Sequence, residues 1–140
     1  MSDSHTPGQT RLQQRRRGVA ATEFAVCLPI IVLLVLGTIE ACSMIFLKQT
    51  LAIAAYEGAR TAIVPGKTKA DVEAACNQIL ADRGVSGATV SVKPANFDAL
   101  DPGQYVDVTV TAPCNANSIV RNKFYKGKTL TSNASMMIEF

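Results

Sequence analysis

The pattern of hydrophobic and polar positions divides the chain into one long apolar stretch and a later part in which short apolar and polar stretches alternate. Residues 24–39 contain no charged residue, and after Glu40 the apolar character continues to Leu47. As a helix, residues 24–47 extend roughly 36 Å, which is enough to cross the hydrocarbon core of a bilayer. A buried helix of a soluble protein is disfavoured, because the remaining chain is too short and too polar to surround a stretch that is apolar on all sides.

The helix that contains this span is expected to cover residues 19–64, because Pro65 and Gly66 terminate helices. Small residues recur every four positions in its last part, at Ala54, Gly58 and Ala62. Such a stripe allows another element to approach the helix closely. We expect it to pack against the protein's own second part.

That second part, residues 65–140, has the patterns of a small α+β domain. Residues 69–83 place apolar side chains on one helical face, which predicts an amphipathic helix. Residues 88–93 and 104–111 alternate apolar and polar positions, as strands do, and residues 130–140 alternate less regularly. The fold class predicted is therefore α+β and pilin-like: a long N-terminal transmembrane helix, then a domain with one amphipathic helix and a three-stranded antiparallel sheet.

Charge is distributed very unevenly along this arrangement. The net charge is +3, and residues 1–18 carry all of it, since four arginines there face a single acidic residue. Basic residues that precede a span are retained in the cytoplasm. We therefore expect residues 1–18 to be a cytoplasmic leader and residues 65–140 to be exported. A nucleic-acid-binding function is disfavoured, because it requires a basic face elsewhere in the chain.

The junction between the arginines and the apolar stretch has the features of a processing site. Gly18 follows three arginines, and Glu23 is the fifth residue counted from Val19. Glycine lets an extended backbone enter a protease without a side-chain clash. A carboxylate at the edge of an apolar helix can pair with a new terminal amine at Val19. Taken alone, Glu23 is better explained as an interfacial residue that interacts with the positive end of the helix dipole; the Arg-Gly boundary and the spacing favour the processing site.

These residues resemble the cleavage region of type IV prepilins, in which a membrane peptidase cuts after the glycine. The wider pattern resembles the TadE family of pseudopilins from tight-adherence pilus systems, over residues 15–64 and weakly beyond. The matching elements are the Arg-Arg-Gly and Glu-Phe-Ala motifs, Leu28 with Pro29, Gly37 with Glu40, and AAYEGAR at residues 54–60. The chain departs from the family pattern at Cys114, which follows Pro113 at a position where the family often has an aromatic residue.

The resemblance implies a minor pilin-like component that takes part in assembling a tight-adherence pilus. It implies cleavage between Gly18 and Val19. The residues implied in processing and assembly are Arg15, Arg16, Arg17, Glu23 and Phe24. The partners implied are a prepilin peptidase, a companion pseudopilin, the major pilin, the inner-membrane assembly platform and membrane lipid, with no nucleic acid, no small-molecule substrate and no cofactor. The protein is then a single-pass protein of the bacterial inner membrane with a periplasmic domain, or is incorporated in a surface pilus.

Glu40 and the four cysteines leave alternatives open. Glu40 can reach lipid headgroups from the interface or contact a partner helix, since ionisable groups in a span are usually functional. Cys27 and Cys42 are expected to behave as small apolar residues. Because an exported domain is in an oxidising compartment, Cys76 and Cys114 are candidates for a disulfide. A zinc site is disfavoured, because no pair of Cys or His residues has ligand spacing.

No catalytic set is evident. The one histidine, His5, lies in the predicted leader. Without it the chain offers no nucleophile–histidine pair, no metal cluster and no phosphate-binding glycine loop, so we expect no enzymatic activity. The alternative function is a bitopic or lipoprotein-like binding module unrelated to pili, with Cys42 as the lipidated residue. Mapping the mature N-terminus distinguishes the two, because the first requires Val19 and the second Cys42 or an uncut chain.

Overall fold

The computed structural model describes residues 8–99, 101–119 and 125–139, with only the backbone described for residues 8–17 and 98. The expected strand end at Phe140 lies outside these residues. The observed elements confirm the α+β prediction of a long apolar helix, an amphipathic helix and a three-stranded antiparallel sheet. In chain order they are α1 (Gly8–Ala62), α2 (Lys69–Asp82), β1 (Thr89–Lys93), a 3-10 turn (Phe97–Ala99), β2 (Tyr105–Pro113), α3 (Cys114–Asn117) and β3 (Thr129–Met137).

Helix α1 begins earlier than predicted, at Gly8 instead of Val19, and the helical backbone continues through Gly18 and Pro29. The chain forms two compact units, residues 1–38 and residues 39–140. Within the first unit, residues 18–36 are all exposed. Such an apolar and uncovered helix surface is typical of a segment whose solvent is lipid.

In the second unit, α1 contributes one face to the core. The buried positions of α1 recur every three or four residues, which is the spacing of one side of a helix. They are Glu40, Ser43, Met44, Leu47, Thr50, Leu51, Ala54, Ala55, Gly58, Ala59 and Ala62. The compact unit therefore starts at residue 39, whereas the sequence placed the domain boundary after residue 64. The physical reason is that a three-stranded sheet needs a covering helix to be stable, and α1 supplies it.

The sheet has the order β1–β2–β3 with both pairs antiparallel. Its central strand places Val106, Val108 and Val110 on the inner face, where all three are fully buried, as the alternation predicted. Val108 lies opposite Val92 of β1 and Ala134 of β3. The inner face is thus largely apolar across all three strands, with the buried Ser132 of β3 opposite Val110.

Helix α2 also matches its prediction closely. Thr68 and Asp71 form a capping box: the Thr68 side chain accepts from the Asp71 backbone, and the Asp71 carboxylate accepts from the Thr68 N–H at 2.8 Å. Its buried residues are Val72, Cys76 and Leu80, spaced on one face. Gly84, with φ of +66°, follows the helix end at the position where the sequence predicted a stop.

Candidate functional site

The predicted cleavage segment lies on a helical and exposed part of α1. A Cβ built on Gly18 meets no heavy atom within 4 Å. Val19, Glu23 and Phe24 are exposed as well. Arg15, Arg16 and Arg17 lie on the helical backbone, and their side chains are outside the described part of the structure. Among the described residues, none covers this segment, so a partner can reach it.

Thr22 ties this segment to the helix, because its hydroxyl donates to the Gly18 carbonyl at 2.8 Å. A peptidase that binds an extended backbone has to break this bond and unwind the turn. Glycine within a helix lowers the cost of unwinding, by about 1 kcal/mol relative to alanine. Gly18 is thus suited to local opening of α1.

Glu40 occupies a position that neither sequence interpretation described. It is only 1 % exposed, although it follows directly on the exposed apolar segment. Its Oε1 accepts a hydrogen bond from the Tyr125 backbone N–H at 3.3 Å. The carboxylate is therefore held by the protein's own connection between α3 and β3.

Lys48 and Ser132 make a second connection between α1 and the later part of the chain. The Lys48 ammonium donates to the Thr131 carbonyl of β3. Ser132 in turn donates from its hydroxyl to the Lys48 carbonyl at 3.4 Å. The sequence analysis missed Lys48, Ser132 and Tyr125. The signal that could have indicated this contact is the three- to four-residue spacing of the buried positions of α1, which begins at Glu40. Neighbouring apolar residues conceal that spacing in the sequence.

The stripe of small residues at the end of α1 receives α2 and β2, as predicted. A Cβ on Gly58 would lie 2.4 Å from the Cys76 Sγ and 3.1 Å from Cγ1 of Val108. The Cys76 thiol donates to the Ala54 carbonyl at 3.3 Å. The elements approach so closely that only glycine fits at position 58.

The proposed disulfide between Cys76 and Cys114 is not formed in the structure, where both are buried free thiols. Cys76 instead bonds to the α1 backbone, and burial raises the pKa of its thiol to about 11. Burial also raises the pKa of the Cys114 thiol. Both groups are therefore neutral and unreactive at physiological pH.

Cys27 and Cys42 are exposed free thiols on α1. Cys42 lies well inside the helix, twenty residues before its end at Ala62. Across the described residues, no group of three or more His, Cys, Asp or Glu side chains is placed to hold a metal ion.

Comparison with known proteins adds one positive result. No curated protein and no solved structure matches the chain. Residues 18–60 match the family model TadE, described as TadE-like protein. Among the described residues, one helix near the N-terminus is long and apolar enough to cross a membrane, and it contains this segment.

The matched segment begins at the glycine of the predicted cleavage site and ends at Arg60, the last residue of the AAYEGAR motif. It therefore includes both the exposed apolar part of α1 and most of the face that packs in the second unit. The resemblance predicted from the motifs is confirmed: residues 18–60 are similar to the TadE-like family, a family of pilus components.

Proposed function

We propose that this protein is a pseudopilin of a tight-adherence pilus, made as a precursor, cut after Gly18 by a prepilin peptidase and anchored in the bacterial inner membrane by α1. The observation that carries this proposal is the TadE-like match, whose first residue is Gly18. The exported domain then acts as a minor pilin-like component that assembles with a companion pseudopilin, the major pilin and the assembly platform.

The charge distribution supports the orientation. The leader holds the whole net charge of +3, so its arginines keep the N-terminus in the cytoplasm while the later residues are exported. Cleavage removes this charge and leaves a mature chain with equal numbers of basic and acidic residues. The arginines therefore act before cleavage, in setting the topology, and not in the assembled product.

Glu23 has a separate role in this proposal. It is exposed on α1 and is the first charged residue after the cut. A carboxylate in an apolar environment is costly unless it is paired. The amine created at Val19 supplies a cation one helical turn away, within the same chain or from a neighbouring helix. Glu23 thus favours helix association after cleavage.

The test replaces Gly18 in the full chain expressed with its pilus system. Gly18→Val should abolish processing and pilus formation, because a branched side chain obstructs the extended backbone in the peptidase. Since a side chain at this position meets nothing within 4 Å, the variant keeps the native fold. Ala20→Val is the matched control, with the same valine side chain on the exposed helix two residues later, and should be processed normally.

Normal processing of Gly18→Val would contradict the proposed site. A mature chain that begins at Cys42, or an uncut chain in cells that assemble pili, would support a bitopic or lipoprotein-like module instead. Glu23→Gln distinguishes cleavage from helix association: we expect normal cleavage with reduced pilus assembly.

A further inference from the structure

We propose that a basic and aromatic surface of the second unit binds the phosphate groups of phospholipids on the exported side of the membrane. This surface, named here the Tyr125 surface, consists of Tyr125, Lys126 and Lys128 with the apolar groove beside them. The inference rests on the proposed function in one respect, that α1 spans the membrane and residues 39–140 are exported.

The Tyr125 surface lies beside the start of the buried face of α1. The Tyr125 N–H binds Glu40 at 3.3 Å, so the surface is level with the point where α1 becomes buried in its own domain. Residues 19–39 extend about 31 Å as a helix, which equals the thickness of a hydrocarbon core of about 30 Å. Headgroups then begin at Glu40.

Two exposed lysines exclude a deeper membrane boundary. If lipid tails extended to Leu47, as the apolar pattern alone suggests, they would surround Lys126 and Lys128, which are both exposed. Lysines in the hydrocarbon are strongly disfavoured, whereas at the headgroups they are tolerated and bind phosphate. Half of the helix surface between Glu40 and Leu47 is also already covered by protein.

The Tyr125 surface combines a cation, an aromatic ring and an apolar groove. The Lys128 ammonium lies over the Tyr125 ring, 5.4 Å from its centroid. The groove of about 280 Å³ beside this ring is almost wholly apolar; its lining includes Met44, Ile45 and Leu130, with Lys48 at its edge. A tyrosine between an apolar groove and ammonium groups is typical of the membrane interface.

Charge complementarity identifies the occupant as phospholipid. Lys126 and Lys128 are both exposed on the Tyr125 surface, and Lys48 lines the groove beside it. The headgroup layer is about 5–8 Å thick on each side, and α1 rises that distance between Glu40 and Ile45. The groove and the lysines thus lie within reach of lipid phosphates.

The chain contains no tryptophan, so a single introduced tryptophan reports its own surroundings. The full chain is reconstituted in vesicles of phosphatidylcholine and phosphatidylglycerol, with quenchers attached either at the headgroup or at the centre of the acyl chain. Tyr125→Trp is the test position. Tyr105→Trp on β2, where the native side chain is 60 % exposed, is the matched control, and Leu33→Trp in the exposed apolar segment reports anchoring.

We expect headgroup quenchers to reduce the emission of Tyr125→Trp and to leave Tyr105→Trp unchanged, while chain-centre quenchers reduce Leu33→Trp. This quenching of Tyr125→Trp should depend on phosphatidylglycerol, and adding Lys126→Glu and Lys128→Glu should remove that dependence. Quenching of Leu33→Trp without quenching of Tyr125→Trp overturns the inference and leaves the anchor intact. If Leu33→Trp is also unquenched, the proposed function fails first. Loss of pilus assembly on charge reversal, with Tyr125→Trp unquenched, overturns lipid binding in favour of an acidic protein partner.

Discussion

Two glycines of α1 show how differently single residues are constrained along one helix. Gly18 has open space where a side chain would stand, whereas a Cβ on Gly58 would collide with the Cys76 Sγ and press on Val108. The AAYEGAR motif that contains Gly58 is therefore explained by packing: its glycine lets α2 and β2 reach the α1 backbone. At Gly18 we propose processing as the reason for the same residue type.

Gly58→Ala should destabilise the protein. Overpacking a tight core costs about 1–3 kcal/mol, which exceeds the gain of about 1 kcal/mol in helix propensity. Thermal unfolding in detergent measures the difference. Gly18→Ala is the control and should leave the unfolding temperature unchanged or raised.

The double variant Gly58→Ala with Cys76→Ala tests the cause, because removing the sulfur makes room for the methyl group. Its loss of stability should be smaller than the sum of the two single losses. Strict additivity would contradict the close approach at Gly58.

The buried thiols define a second prediction for single residues. At pH 8, Cys27 and Cys42 should react with a maleimide in detergent, while Cys76 and Cys114 should react only after unfolding, since burial raises the pKa of both thiols. Mass mapping without reductant should find all four as free thiols. A linked Cys76–Cys114 peptide from the mature protein would contradict the structure and restore the disulfide that the compartment favours.

The raised pKa of Cys76 also fixes a pH dependence. Its ordinary value is 9.0 and its folded value is about 11, so the unfolded chain loses the thiol proton first. The free energy of unfolding should therefore decrease as the pH rises from about 9 to about 11. Cys76→Ala should remove that part of the decrease.

At the scale of elements, Glu40 joins the helix to the connection between α3 and β3. Glu40→Ala leaves the Tyr125 N–H without this acceptor, and a buried polar group without its partner costs about 1–3 kcal/mol. We expect a lower unfolding temperature and faster hydrogen exchange at the Tyr125 amide. Glu40→Gln retains an acceptor oxygen and is the matched control. Equal exchange in both variants would show that the hydrogen bond does not hold this connection.

The elements were predictable from the sequence wherever one local pattern determines them. Alternation predicted the buried valines of β2, and Gly84 predicted the end of α2. The short helix α3 was missed because four residues carry no period. The buried face of α1 was missed before Ala54, since Met44, Leu47 and Leu51 are surrounded by apolar residues that conceal their spacing.

The part of the candidate site that could be predicted consists of residues close together in the sequence. Gly18, Val19 and Glu23 are recognised by their order in the chain, which needs no tertiary structure. The partner of Glu40 was not predictable, because Tyr125 is 85 positions away and only the fold brings the two together. The pairing of Cys76 with Cys114 stays a prediction, because compartment and parity do not specify distance and both thiols are free in the structure.

At the scale of the whole molecule, α1 serves two environments in succession. Residues 18–36 are exposed and apolar, and from Glu40 onward one face of the same helix is buried in the second unit. The TadE-like match covers both parts. In the pseudopilin function that we propose, the anchor and the helix that completes an exported domain are one continuous element.

The most direct test of this assignment is the N-terminus of the mature protein, purified from membranes of cells that express the whole pilus system and determined by mass spectrometry. We predict a chain that begins at Val19, present only when the prepilin peptidase is active and lacking the four arginines of the leader. A mature chain that begins at Met1 or at Cys42 while pili assemble normally would contradict it.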